Sequence, residues 1–144
     1  MLHIIDSLTD PLIKLIQDDP VRPDIPVDFR ISNNNQIFVL LDDDSNHQAV
    51  VCVAYKDYIP ADEDQLMHAS ELPTTAVFYT IWSYTPGSGK KLIRQAKKNI
   101  EENKPTITKF VTLSPRTEMA RTFHLKNGAS IVRENETSVN YEYH

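Results

Sequence analysis

Glycine, cysteine and long apolar runs are all scarce in this 144-residue chain. It has three glycines and a single cysteine, Cys52, which excludes an intrachain disulfide and favours a reducing, cytoplasmic setting. There is no run of about 18 apolar residues and no basic-then-apolar leader, so we expect neither a membrane partner nor secretion. The net charge of −5 argues against a general nucleic-acid-binding surface.

Helix-like and strand-like runs alternate along the chain, and its 40% apolar and 24% charged residues are ordinary for one globular domain over residues 1–144. We predict a short helix after Asp10 and an irregular, acidic, substrate-side loop over 57–71. The predicted strands are 37–41, 49–55, 75–83, 107–113, 130–133 and 138–143, and the longer helices are 88–102 and 117–126. This order predicts an α/β (α+β) fold with a mixed central sheet flanked by helices. The helical crossover makes strands 75–83 and 107–113 parallel neighbours.

Two of the three glycines, Gly87 and Gly89, lie between a predicted strand and a predicted helix. Glycine serves where φ must be positive or where a ligand approaches the backbone closely. The first amides of a helix lack partners and attract anions. Lys90 and Lys91 follow in the first turn, where cations oppose the helix dipole unless a bound anion offsets them. The turn from Pro86 through Lys91, including Ser88, is therefore predicted to bind phosphate.

Two common phosphate-binding motifs do not fit this turn. A Walker A loop would need glycine at Tyr84 and Ser or Thr at Lys91, and without that hydroxyl there is no magnesium ligand. A dinucleotide-binding fingerprint would need glycine at Leu92. The histidines also show no metal-ligand spacing, so no metal is expected.

The stretch Tyr84–Gly89 resembles the [QR]-x-x-G-x-[GA] pyrophosphate loop of the GNAT acyl-CoA N-acyltransferase superfamily, with Tyr84 in place of Gln or Arg. The stretch from Thr117 to Ala129 resembles that superfamily's N-x-x-A-x-x-F-Y-x-K-x-G-F signature. Thr117 replaces its Asn, and His124 replaces the Tyr that often acts as general acid. The resemblance implies a GNAT-like fold and a coenzyme A (CoA) ester as ligand. We expect this ligand to contact Ile81, Trp82, Ser83, Pro86, Gly87, Ser88, Gly89, Lys90, Lys91 and Thr117.

A closer resemblance, over roughly residues 72–143, is to the catalytic half of malonyl-CoA decarboxylase. The run 74–81 is similar to that family's T-T-A-I-F-Y-S-I, and 110–115 to its strand ending in L-S-P. The run 123–129 is similar to F-H-L-x-N-G-A, and 139–143 to the terminal A-N-Y-R-Y. This resemblance places the family's catalytic serine and histidine at Ser114 and His124. Between these two the family has a long insertion, which is reduced here to 116–122.

Decarboxylation of a malonyl thioester forms an enolate, so the site needs an oxyanion donor, a hold on the carboxylate and a proton source. Backbone amides near Ile81 to Ser83 could donate to the oxyanion. Ser114 could hydrogen-bond the carboxylate. His124 could supply the proton if its pKa is near the usual value of about 6.5. The alternatives are acetyl transfer to an amine acceptor, with His124 protonating the thiolate, and a Ser114–His124 nucleophilic dyad.

The same residues also have non-catalytic interpretations. Ser114 would then cap helix 117–126, His124 would be a packed histidine, and the chain would be a non-catalytic module that only binds acyl-CoA. Trp82 and Tyr84 would line the acyl pocket or only pack. The sequence leaves a homo-oligomer open.

Overall fold

A mixed sheet of eight strands forms the centre of the protein, and the computed structural model describes all 144 residues. The strands are β1 (Leu2–Ile5), β2 (Asn35–Leu41), β3 (His47–Lys56), β4 (Thr75–Ser83), β5 (Lys109–Thr112), β6 (Ser114–Pro115), β7 (Ser130–Glu134) and β8 (Ser138–Tyr143). A 3₁₀ helix spans Pro11–Asp18, and the α-helices are α1 (Val27–Arg30), α2 (Glu63–Leu66), α3 (Ser88–Asn103) and α4 (Glu118–Lys126). None of the helices has the length and apolar character that spanning a bilayer would require.

The strands follow the order β1-β2-β3-β4-β5-β8, and β8 also pairs with β6 and β7. Only β4 and β5 are parallel, as the helical crossover through α3 predicts. β1 was not predicted, because four residues show too little alternation; it pairs with β2 at the sheet edge. The predicted strand 107–113 is shorter and ends at Thr112, and the next two-residue strand, β6, pairs with β8 instead.

Helices cover both faces of the sheet, and each turns its regularly spaced apolar side chains towards the sheet. Leu92, Ala96 and Ile100 of α3 lie one helical turn apart and are buried against one face. Leu15 and Ile16 of the 3₁₀ helix are buried in the core on the opposite face. Cys52 is fully buried in this second core, as expected of a packing residue.

The acidic stretch 57–71, which we expected to be an irregular substrate-side loop, is irregular apart from one short helix. It contains α2, and its backbone packs against the first residues of β8. The Asn140 side chain donates to the Pro60 carbonyl at 2.9 Å, and the Ser138 hydroxyl donates to the Ala61 carbonyl at 2.6 Å. No residue of 57–71 lines the cavity described below.

Candidate active site

The site begins where β4 and β5 part. They pair from Thr75 opposite Lys109 to Phe78 opposite Thr112, and the Leu113 amide donates to the Phe78 carbonyl at 3.1 Å. β4 then continues to Ser83, while the other chain turns away into β6. A β-bulge marks this point: Val53 of β3 pairs with Phe78 and Cys52 pairs with Thr80, so that Tyr79 is the extra residue.

Beyond the bulge, β4 presents backbone groups to the gap. The Tyr84 amide donates to the Gln48 carbonyl at 2.8 Å and therefore faces β3. Because successive residues of a strand alternate in direction, the N–H and C=O groups of Ile81 and Ser83 face away from β3. No strand pairs with β4 on that side. These groups are free to hydrogen-bond a ligand or a developing oxyanion.

A cavity of about 360 Å³ occupies this gap. It combines β4, the turn after β5 and α4, and it brings together many of the predicted residues: Ile81, Trp82, Ser83, Gly89, Ser114, Thr117 and His124. Trp82 lines the cavity and its Nε1 donates to the Tyr84 hydroxyl, whereas Tyr84 is not part of the lining. β4 is an interior strand of the sheet, between β3 and β5.

The cavity lining carries no Asp, Glu, Lys or Arg. Phe78, Leu113 and Phe123 contribute apolar surface. Polar groups come from hydroxyl-bearing side chains, from His124 and from the β4 backbone. An anionic group entering this space would therefore meet neutral donors on the lining side chains.

His124 is buried and lies against two tyrosines. Its Nδ1 lies 2.6 Å from the Tyr143 hydroxyl, and its ring stacks on Tyr141 with 4.9 Å between centroids. Burial lowers the pKa of His124 to about 4. The expectation of an ordinary pKa is therefore wrong, and the ring is neutral at pH 7. Nε2 has no hydrogen-bond partner in the protein, and the residue lines the cavity.

Ser114 is also buried, and its hydroxyl donates to Thr112 Oγ1 at 2.8 Å. The same Thr112 oxygen accepts the Tyr141 amide at 3.1 Å. Ser114 and His124 line one cavity, but no hydrogen bond joins them, so the dyad alternative is not preformed. Ser114 does not cap α4 either, because the cap is Thr117, whose Oγ1 accepts the Ala120 amide at 3.2 Å.

The predicted phosphate turn lies next to the cavity, at the start of α3. Gly87 is its N-cap with φ of 78°, a left-handed conformation that favours glycine. The Ser88 hydroxyl donates to the carbonyls of Gln48 and Thr85, which anchors the turn to β3. The amides of Gly89 and Lys90 have no hydrogen-bond partner in the protein. Pro86, Lys90 and Lys91 are exposed beside them.

Gly89 is needed for packing as well as for ligand approach. A Cβ atom at this position would lie 3.3 Å from the Phe123 ring and 3.8 Å from Ile81 Cδ1. α3 and α4 therefore come together at this glycine. The sequence indicated a close approach here but not that the approaching group is an aromatic ring.

Tyr143, Thr112 and Arg22 were missed as neighbours of the predicted catalytic pair. Tyr143 lies in the terminal run that resembles A-N-Y-R-Y, which was a usable signal. Thr112 directly precedes the L-S-P run. Arg22 lies in a proline-rich connection, and no local pattern marks it.

Similarity to known proteins extends over nearly the whole chain at the level of the fold. No protein-family model and no curated protein matches the chain. Among solved structures, malonyl-CoA decarboxylase of Rhodopseudomonas palustris is similar with a TM-score of 0.77 and 21% identity, over 99% of this chain and 59% of that one. The PaiA N-acetyltransferase of Thermoplasma acidophilum, in complex with coenzyme A, is similar with a TM-score of 0.63 and 13% identity, over 99% and 98%.

The chain has the GNAT fold. The resemblance to malonyl-CoA decarboxylase is also confirmed. The enzyme of Agrobacterium vitis is 25% identical with a TM-score of 0.70, over 85% of this chain and 35% of that one. The chain thus spans between about a third and three fifths of the length of the decarboxylases it matches.

Proposed function

We propose that the chain binds a CoA thioester at the β4–β5 gap and removes the carboxyl group of a malonyl-type acyl group as CO₂. The observation that carries this proposal is the lining of the cavity. Ser114 and His124 lie in it together, and no charged side chain accompanies them. Such a site suits a reaction that moves negative charge off a carboxylate and requires no second substrate.

Binding of the thioester uses the two sets of unpartnered backbone groups. The pyrophosphate of CoA accepts from the amides of Gly89 and Lys90, and the side chains of Lys90 and Lys91 add positive charge. The pantetheine arm then runs along β4 and pairs with the free backbone groups of Ile81 and Ser83. This arrangement brings the thioester to Ser114 and His124.

In the reaction, the bond between the carboxylate carbon and Cα breaks, and its electron pair forms the enolate of the thioester. An amide of β4 donates to the enolate oxygen. Ser114 donates its single hydroxyl proton to the departing carboxylate in place of Thr112 Oγ1, the atom to which it donates in the structure.

The enolate then takes one proton at Cα, which completes the conversion of malonyl-CoA into acetyl-CoA and CO₂. His124 is neutral near pH 7, because burial lowers its pKa to about 4. With the Tyr143 hydroxyl donating to Nδ1, the imidazole proton resides on Nε2 and is directed to the cavity. The carbanion takes this proton, which leaves an imidazolate whose Nδ1 still accepts from the Tyr143 hydroxyl, and a proton from solvent returns the ring to its neutral form.

Acetyl transfer to an amine is the second candidate. The observation in its favour is the fold, because the Thermoplasma N-acetyltransferase in complex with coenzyme A is similar over 99% of this chain. A protonated amine must lose its proton before it attacks a thioester. A histidine with a pKa of about 4 is a poor base for this step, and no carboxylate lines the cavity. These two features rank transfer below decarboxylation.

The decisive experiment incubates the protein with malonyl-CoA without any amine, and separately with acetyl-CoA and a panel of amines. Mass analysis of the CoA products, together with trapped CO₂, distinguishes the reactions. We expect acetyl-CoA and CO₂ from malonyl-CoA alone. Strict dependence on an amine would establish transfer, and tight binding without turnover in either mixture would establish a binding module.

Two variants connect the activity to the site. Ser114→Ala and His124→Ala should abolish turnover while the affinity for acetyl-CoA changes little, because the nucleotide end binds elsewhere. Lys98→Glu, at an exposed position on α3 remote from the first turn, serves as the matched control with normal turnover. Turnover that persists in both site variants would exclude the proposed chemistry.

A further inference from the structure

Arg22 lies where β4 and β5 part, and it bonds to β4 and to the residue that follows β5. Its Nη2 donates to the Leu113 carbonyl at 2.9 Å, and its Nε lies 3.4 Å from the Tyr79 carbonyl. The third nitrogen, Nη1, lies 3.1 Å from a carboxylate oxygen of Glu63. The side chain is 12% exposed, so the guanidinium is an inserted group and not a surface charge.

The Leu113 carbonyl has lost its partner in the sheet. The Leu113 amide donates to Phe78 and therefore faces β4, and its carbonyl faces the same way. In a continuous parallel ladder, the amide of Thr80 would be the next donor to this carbonyl. The bulge at Tyr79 turns Thr80 towards Cys52 of β3 instead. The guanidinium of Arg22 takes the place of the missing amide.

The backbone that carries Arg22 is itself fixed from within the core. The buried carboxylate of Asp19 accepts the amides of Val21 and Arg22 at 2.8 and 2.9 Å. It also accepts the Thr80 hydroxyl at 2.8 Å and pairs with Arg30 at 2.7 Å. The turn that carries Arg22 is therefore hydrogen-bonded to β4 through Thr80, and β4 is one of the two strands that part at Arg22.

We propose that Arg22 is a positioning residue that holds β4 and β5 apart and so keeps the gap open for the ligand. The inference rests on the proposed function in one respect, namely that the gap is where a CoA thioester binds. Without the guanidinium, the carbonyls of Leu113 and Tyr79 lack donors. The strands must then shift to satisfy them, and the ligand has to reverse that shift when it binds.

The test compares Arg22→Ala, Arg22→Lys and Glu63→Gln by calorimetry with acetyl-CoA. Loss of one buried hydrogen bond corresponds to about tenfold in an equilibrium constant. We expect Arg22→Ala to bind about tenfold more weakly. Arg22→Lys should also bind more weakly, because an ammonium group cannot span two carbonyls in one plane. Glu63→Gln keeps both carbonyl bonds and should bind like the wild type.

Chemical rescue separates positioning from a general loss of stability. Guanidinium ion at a low, non-denaturing concentration should restore the affinity of Arg22→Ala, and the same concentration of ammonium should not. Unchanged affinity in Arg22→Ala, or an equal loss in Glu63→Gln, would overturn the inference. If Arg22→Ala does not fold, unchanged affinity in Arg22→Lys would overturn the inference instead.

A measurement without ligand keeps this inference distinct from the proposed function. Amide hydrogen exchange of the segments 79–83 and 113–115 should change in Arg22→Ala and stay unchanged in Glu63→Gln. A wild-type protein that fails to bind acetyl-CoA would refute the proposed function. The exchange data would still show whether Arg22 holds the strands apart, and identical exchange in Arg22→Ala and wild type would refute that.

Discussion

The hydroxyl of Tyr143 lies 2.6 Å from Nδ1 of His124, and both residues are buried. The two are 19 positions apart in the sequence. α4 supplies the histidine and the last strand, β8, supplies the tyrosine. Burial raises the pKa of Tyr143, so its hydroxyl keeps its proton and remains a donor. Because this contact occupies Nδ1, Nε2 is the imidazole nitrogen that remains free to exchange a proton with a ligand.

Acid should destabilise the wild type through His124. Its pKa is about 6.5 in the unfolded chain and about 4 in the folded protein, so the unfolded state binds more protons between these values. The stability from this group is present above pH 6.5 and is lost as the pH falls towards 4, by on the order of 3 kcal/mol. Urea unfolding of wild type and His124→Phe across this window measures it. Parallel curves for the two proteins would contradict the lowered pKa.

Decarboxylation should show no loss of rate as the pH rises through about 6.5. The sequence predicted an imidazolium donor, whose rate would fall above its pKa, but the buried ring is neutral over this range. We therefore expect a flat profile of CO₂ release from malonyl-CoA between about pH 6 and 8. A descending limb centred near 6.5 would instead indicate an imidazolium donor.

Charge reversal at the first turn of α3 should weaken CoA binding. Lys90 and Lys91 are exposed beside the unpartnered amides of Gly89 and Lys90, whereas Lys98 lies two turns further along. Lys90→Glu combined with Lys91→Glu should cost about 1–2 kcal/mol of binding, about tenfold, and more at low salt. Calorimetry with CoA is the measurement. A loss of the same size in Lys98→Glu would mean that net charge, not this turn, attracts the ligand.

Gly89→Val should destabilise the fold through Phe123. The ring lies 3.3 Å from the position of an added Cβ, so the larger side chain overpacks the contact between α3 and α4. We expect a loss of about 1–3 kcal/mol in the free energy of unfolding. Phe123→Ala in the same chain should recover part of it, which a double-mutant cycle in urea detects. If the two changes are simply additive, this contact is not the reason for the glycine.

Most of the architecture was predictable because it follows from local patterns. Apolar runs and 3.6-residue spacing predicted all the strands except β1 and β6 and also the two long helices, and the helical crossover predicted that β4 and β5 are parallel. The acidic stretch 57–71 is irregular apart from α2, as predicted, but the sequence could not show where it packs. Its partners, Ser138 and Asn140, are more than 70 positions away and cannot be inferred from local spacing.

The sequence by itself determined the order of the elements, the glycine turn at the start of α3, and the resemblance that marks Ser114 and His124. Only the tertiary structure decided the protonation of His124, since its pKa depends on burial among β8 tyrosines. Only the structure paired Ser114 with Thr112 and placed Arg22 between parting strands. The physical reason is that turn geometry and periodicity are local, whereas desolvation and hydrogen-bond partners depend on chain segments that meet only in the fold.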